Sequence, residues 1–230
     1  MSELFSIQLQ NRQQSRDGVW LDLPTTTEQV QAALRQIDIS SDNPQGLFIS
    51  GYFAEEEKRF AIPYNMVLAS NVDELNFLAA RLETLSAGER AELNAALQAP
   101  QSELSNIGRI TDFPENVEYY VHLPDVRGPA QLGDYYLNRS GMVDMPEEWK
   151  GGIDTAQFGR YVAQQEQGVF TEYGYLVKSG MRGRKSTRAS LCRRNTVCCP
   201  FLRRKSCGMQ PISRRLFNLK QNRRKLFPLS

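Results

Sequence analysis

An α+β chain of three small modules in series, followed by a basic tail, is the architecture this sequence predicts. Three observations lead there. The apolar period changes from two to about 3.6 and back again along residues 1–180. Helix-start signatures fall between the periodic stretches. Charge divides the chain: all 26 acids lie at or before Glu172, so residues 1–180 set 13 bases against them, a charge of −13, whereas residues 181–230 hold 15 Lys or Arg and no acid. At ordinary usage about an eighth of residues are acidic, so 50 consecutive residues without one arise by chance on the order of once in a thousand. The net charge of +2 therefore hides two opposed segments. With 40% hydrophobic residues overall, the acidic part is able to bury one core or several small ones in series.

The first module, α+β, spans 1–60. Leu4 to Leu9 alternates Phe5, Ile7 and Leu9 with polar residues, and after the hairpin signal Asp17-Gly18 the segment Val19 to Leu23 repeats the pattern, which predicts two antiparallel strands. Thr25-Thr26-Thr27-Glu28 reads as a capping box, and Val30, Ala33, Leu34 and Ile37 mark one face of the helix it opens. Leu47 to Tyr52 closes the unit as a strand. The second module, 61–102, is helical. Asn71 to Glu74 caps a helix with Leu75, Leu78, Leu82 and Leu85 on one face, and Ser86 to Glu89 caps another carrying Leu93, Ala96 and Leu97. The third module, 103–180, returns to α+β. Glu118 to Leu123 reads as a strand, Gln131 to Arg139 as a helix stopped by Gly141, Pro146 as the first-turn proline of a short helix, Ile153 to Gln167 as a helix, and Val169 to Val177 as a final strand. Each module has its own apolar pattern and none is long enough to wrap the others, which predicts an elongated molecule.

The tail, 181–230, is compositionally foreign. It holds all four cysteines (Cys192, Cys198, Cys199 and Cys207), and Arg clusters interrupt its short apolar runs. Acid depletion with Arg, Cys and Ser enrichment is what translation in a wrong frame produces, so the tail is read as disordered or out of frame. Its clusters Arg182/Arg184/Lys185, Arg203-Arg204-Lys205 and Arg223-Arg224-Lys225 would hold phosphate electrostatically if exposed. That defines the alternative function: a nucleic-acid-binding protein working through its basic tail. The C-x5-C-C-x7-C spacing without a nearby histidine fits structural zinc poorly. A cysteine-free stretch of 180 residues suits a reducing cytosol, and with no basic-then-apolar start and no run of about 18 apolar residues the expectation is a cytoplasmic protein without a membrane partner.

Chemistry-bearing constellations are scarce. The single histidine, His122, sits inside a strand pattern and reads as a structural or surface histidine. Glu55-Glu56-Glu57, Asp73-Glu74 and Glu147-Glu148 are acid pairs that could bind metal or act as acid and base, but adjacent residues point to different faces. No phosphate loop, dinucleotide glycine pattern, nucleophile elbow or His-Glu zinc motif is present. No catalytic residue, metal or cofactor is predicted.

The third module carries a resemblance. Tyr135-Tyr136 followed by Gly141, then Met145-Pro146-Glu147-Glu148-Trp149, Ile153-Asp154-Thr155-Ala156-Gln157-Phe158-Gly159-Arg160, Gly168-Val169-Phe170-Thr171 and Tyr173-Gly174-Tyr175 are similar to the ArdA antirestriction family. Phe48-Ile49 with Tyr52, and Val72 to Ala79, add looser support in the same order, so the likeness spans about residues 3–178. It implies an elongated three-module chain that dimerises through the third module into a curved acidic rod. Such a rod mimics bent B-form DNA in the DNA-binding groove of Type I restriction-modification enzymes, and proteins of this kind travel on mobile genetic elements. The carboxylates this would employ as stand-ins for phosphates are Asp112, Glu115, Glu118, Asp125, Asp134, Asp144, Glu147, Glu148, Asp154 and Glu172, with Glu55, Glu56, Glu57, Asp73, Glu74 and Glu103 extending the track. Duplex DNA carries one charge per about 1.7 Å, so two chains at −13 each match only about 13 base pairs. Asn138-Arg139 and Gly51 replace acids usual in the family, which dilutes the mimic further. Phe158, Tyr161, Tyr135, Phe170 and Tyr173 are candidates for the dimer contact or for core.

Overall fold

The computed structural model describes residues 3–13, 17–40, 45–56, 59–100 and 102–180; the expectations for Glu57 and for the tail lie outside the described residues. Strands β1 (Phe5–Asn11), β2 (Val19–Leu23) and β3 (Leu47–Phe53) form an antiparallel sheet in the order β2-β1-β3, with Ile7 opposite Leu21 and Tyr52 and a bulge at Gln8/Leu9. The period-2 pattern drives this. Ile7, Leu9, Leu21, Leu23 and Ile49 turn inward while Gln8 and Trp20 stay on the outer face. Helix α1 (Thr27–Gln36) covers the inner face with Val30, Ala33 and Leu34. Its cap corrects the sequence reading by one residue: Thr26 is the N-cap, and Gln29, not Glu28, returns the reciprocal bond to the Thr26 N–H.

The helical stretch comprises α2 (Tyr64–Leu68), α3 (Val72–Leu82) and α4 (Ala87–Gln98), followed by the short α5 (Ile107–Thr111). Asn71 caps α3, and the Ser86–Glu89 capping box opens α4 as read from the sequence. Helices α2 and α5 carry no sequence signal, because five residues are too few to display a period.

Two buried amides explain why the first two patterns share a core instead of remaining separate. Asn76 of α3 accepts from the Thr25 N–H (2.7 Å) and donates to the Thr25 carbonyl (3.0 Å). Asn94 of α4 accepts from the Ala61 N–H (2.8 Å) and donates to the Arg59 carbonyl (3.4 Å). Connecting backbone that would otherwise be buried unpaired is thereby satisfied, so the loops can pass under the helices. One apolar cluster accordingly runs from Leu4 through Leu78 and Leu93 to Phe113.

Strand β4 (Tyr120–Leu123) is shorter than read: Val117–Tyr119 is a 3₁₀ turn whose Asn116 carbonyl accepts from the Tyr119 N–H. The final strand is also corrected, to a hairpin of β5 (Val169–Thr171) and β6 (Gly174–Lys178). Gly174 at φ +127° makes the turn, and the Thr171 hydroxyl clasps it by donating to the Gly174 carbonyl at 2.8 Å. The sheet order is β4-β6-β5. One of its faces presents Tyr120 and Leu176 to the large cluster; the other presents Tyr175, Leu123, Phe170 and Val177 to a second, smaller cluster with Val126, Leu132, Val162 and Ala163. Helices α6 (Pro129–Asp134) and α8 (Thr155–Glu166) complete that second cluster. They cross with their backbones in contact, since a Cβ on Gly133 would lie 1.9 Å from the Thr155 carbonyl oxygen and one on Gly159 1.8 Å from that of Pro129. The helix read over Gln131–Arg139 ends as a π-helical turn, Tyr135–Arg139, and α7 (Glu147–Lys150) is a single turn with Pro146 at its N-cap.

Candidate functional site

The proposed chemistry needs carboxylates in solvent, and burial separates the fifteen candidates that lie among the described residues. Glu55, Glu56, Glu115, Glu118, Asp125, Asp144, Glu147, Glu148, Asp154 and Glu172 are exposed; Glu74, Glu103, Asp112 and Asp134 are half-buried; Asp73 is buried. Asp73 lies at 8% exposure in the first turn of α3, where a negative charge also meets the positive end of the helix. Ten of the sixteen lie between Asp112 and Glu172: Asp112, Glu115 and Glu118 on the turns that close the larger cluster, and the other seven on or between the elements that build the smaller one.

Several of these acids are bound within the chain. Glu103 accepts from Lys178 Nζ at 2.7 Å and from the Tyr119 hydroxyl at 3.1 Å, and the Lys178 bond holds its carboxyl below the usual range while pushing the ammonium up. Glu115 pairs with Arg81 at 3.1 Å, bracing α3 against the 3₁₀ turn Phe113–Glu115. Asp134 is clamped by Arg139 Nη2 at 3.2 Å and Asn138 Nδ2 at 2.8 Å, a geometry that the π-helical turn creates. Lys150 turns back onto Glu147 at 2.9 Å. Asp154 is the N-cap of α8, accepting from the Ala156 and Gln157 N–H groups. Fixing a carboxylate in place and neutralising it are different outcomes: Asp154 remains a net negative charge, whereas Glu103, Glu115, Asp134 and Glu147 each share theirs with a cation.

Two acids escaped the sequence reading because only tertiary packing gives them a role. Glu166 receives hydrogen bonds from both Tyr136 and Tyr175 hydroxyls, the latter at 3.0 Å, inside the smaller cluster. Burial first, and the Glu166 charge second, push the Tyr175 hydroxyl far above the phenol range. Glu92, on α4, is buried with one oxygen unpartnered, and burial together with the neighbouring Glu89 raises its carboxyl to about 7. A Glu at a helical position on an otherwise mixed face gives no sequence signal of this.

His122 is half-buried, its Nε2 lying 2.8 Å from the Tyr173 carbonyl. Of the aromatic set, Tyr135, Phe158 and Phe170 pack on the smaller cluster and Tyr173 on the larger, while Tyr161 is half exposed. Among the described residues no three His, Cys, Asp or Glu side chains are grouped as metal ligands, and no helix is long and apolar enough to cross a membrane. A surface groove is lined by Gln98, Arg127, Phe170, Thr171 and Glu172, with the Thr171 hydroxyl engaged by the Gly174 carbonyl.

The family model described as antirestriction protein (ArdA) matches residues 14–177. Among curated proteins none matches the chain.

Proposed function

This chain belongs to the ArdA antirestriction family, and on that premise we propose that it inhibits Type I restriction-modification enzymes by occupying their DNA-binding groove as an acidic mimic of B-form DNA, acting as a cytoplasmic homodimer and not as a catalyst. The observation that carries this reading is the excess of acid in the third module, where residues 103–180 set twelve acids against six bases and most of those acids stand in solvent. A groove built to bind duplex DNA is lined by Lys and Arg, and counterions released from it favour any rigid polyanion of suitable spacing. Because part of the charge is paired internally, shape and the unneutralised carboxylates share the binding. The proposed contact set keeps the sixteen carboxylates named from the sequence, weighted towards those in solvent. Glu118, Asp125, Asp144 and Glu148 come first because they are exposed and their side chains enter none of the ion pairs described.

The test is inhibition of ATP-dependent cleavage of unmodified DNA by a purified Type I enzyme, run over a salt series with the full chain and with residues 1–180. Inhibition that fades with salt is expected, and it should survive or improve without the basic tail. Reversing Glu118, Asp125, Asp144 and Glu148 together to Lys should weaken inhibition by a factor of about 1,000, at roughly 1 kcal/mol per lost contact. Unchanged inhibition by that variant would sink the reading.

A further inference from the structure

The largest exposed side chain of the acidic region is apolar. Trp149 is 70% exposed on the single turn of α7, although a tryptophan is the costliest residue to leave in water. Its backbone is fixed: its N–H donates to the Pro146 carbonyl (3.0 Å) and its own carbonyl accepts from the Gly152 N–H (3.1 Å). The ring thus projects from a held turn, not from a loose loop. Its setting is electrostatically one-sided. Asp144, Glu147, Glu148 and Asp154 surround it in sequence, all exposed, and the one cation of this stretch, Lys150, is drawn onto Glu147 with its own side chain only 18% exposed.

We propose that Trp149 is the apolar anchor by which this chain seats in the cationic groove of its target enzyme, an inference that rests on the mimicry reading above. Charge complementarity selects this occupant. A second copy of the chain would bring a like set of carboxylates against Asp144, Glu147 and Glu148, whereas a Lys- and Arg-lined surface is attracted by them and supplies guanidinium planes and aliphatic stems that pack on an indole. The division of labour is physical: carboxylates steer the approach and set the salt dependence, and the desolvated ring sets the residence time.

The experiment compares the full chain with W149A and W149F in the cleavage-inhibition assay across the salt series, together with molecular mass by sedimentation. W149A should raise the concentration for half inhibition about thirtyfold, the scale of a central aromatic contact, with its salt slope and mass unchanged. W149F should retain most of the activity. Because the ring is in solvent, the thermal midpoint should not move, which separates this effect from misfolding. W149A inhibiting like the parent overturns the inference, as does a change in mass, which would assign the ring to a second copy, or stronger inhibition, which would assign it to the chain's own basic tail. If the parent chain inhibits no Type I enzyme, the mimicry reading fails first and this inference falls with it.

Discussion

Among the described residues the larger apolar cluster gathers 30 buried residues and the smaller one five, and the acids are shared between them: residues 121–180, which supply the smaller cluster, hold eight of the 26. The two meet across the sheet β4-β6-β5, whose alternate residues serve one side and then the other. They are held by different means. The larger relies on apolar area, with Ile7, Leu9, Leu75, Leu78, Leu82 and Leu93 fully buried and with Asn76 and Asn94 satisfying the chain that passes beneath them. The smaller has little area to bury and substitutes backbone contact between α6 and α8 and phenol–carboxylate bonds at Glu166. With only five buried apolar residues among those described, the smaller cluster gains rigidity from close approach.

The sharpest way to break that arrangement is at the helix crossing. Gly159→Ala places a methyl 1.8 Å from the Pro129 carbonyl oxygen, backbone against backbone, with no flexible side chain to yield. The cost should be about 3 kcal/mol or more, the upper range of overpacking, and urea unfolding would measure it. An alanine in place of Gly88, which has open space around it on α4, should instead be neutral or slightly stabilising. If both variants unfold alike, the smaller region does not depend on this contact.

On the side of the larger cluster the vulnerable group is Glu92, whose carboxyl is raised to about 7 by burial and by Glu89. The sign follows from linkage. A folded pKa above the unfolded 4.5 means that its favourable contribution is complete below pH 4.5 and is lost as pH rises through 7. Glu92→Gln should therefore stabilise the chain by about 2 kcal/mol at pH 8, allowing for solvent screening, and should give no gain at pH 4. Thermal midpoints at the two pH values check this, and an equal shift at both would refute it. Glu103 runs the opposite way: Lys178 lowers its pKa, so that pair stabilises above the unfolded value and weakens as pH falls.

How far the sequence carried these regions depends on what each is made from. Repeating side chains are legible, so β1, β2, α1, β3, α3, α4 and α8 all fall where alternation or the helical face places them, and the caps Asn71 and Ser86 act as their spacing suggests. Short pieces are not. Helices α2 and α5 have no room for a period, and Val169 to Val177 reads as one strand because Tyr173-Gly174-Tyr175 keeps an aromatic alternation through a turn that only the positive φ of Gly174 reveals. Nor could separate apolar patterns disclose a shared core, since the bonds that merge them run from Asn76 and Asn94 to distant backbone. For the site, the acids were legible as a set, but Asp73 is buried by its place in α3, and the pairing of Glu103 with Lys178 spans 75 residues.

The finest distinction between held and free charge lies at Asp134. Arg139, itself 68% exposed, reaches it at 3.2 Å because the π-helical turn shortens the path, and Asn138 takes its other face. An exposed pair of this kind stabilises by less than about 0.5 kcal/mol, so Arg139→Gln should leave the unfolding midpoint nearly unmoved. Its effect on recognition should be the reverse of a loss: removing one cation takes residues 1–180 from −13 to −14 and returns Asp134 to the surface field. Inhibition at low salt should strengthen by about two- to fivefold and the gain should vanish at high salt, since the added attraction is screened within a Debye length. Lys150→Gln provides the control. It also frees an acid, Glu147, but Lys150 is only 18% exposed, so its removal takes packing as well as charge and should lower stability where Arg139→Gln does not. A gain in inhibition that persists at high salt would show that Arg139 obstructs the partner by shape and not by neutralising Asp134.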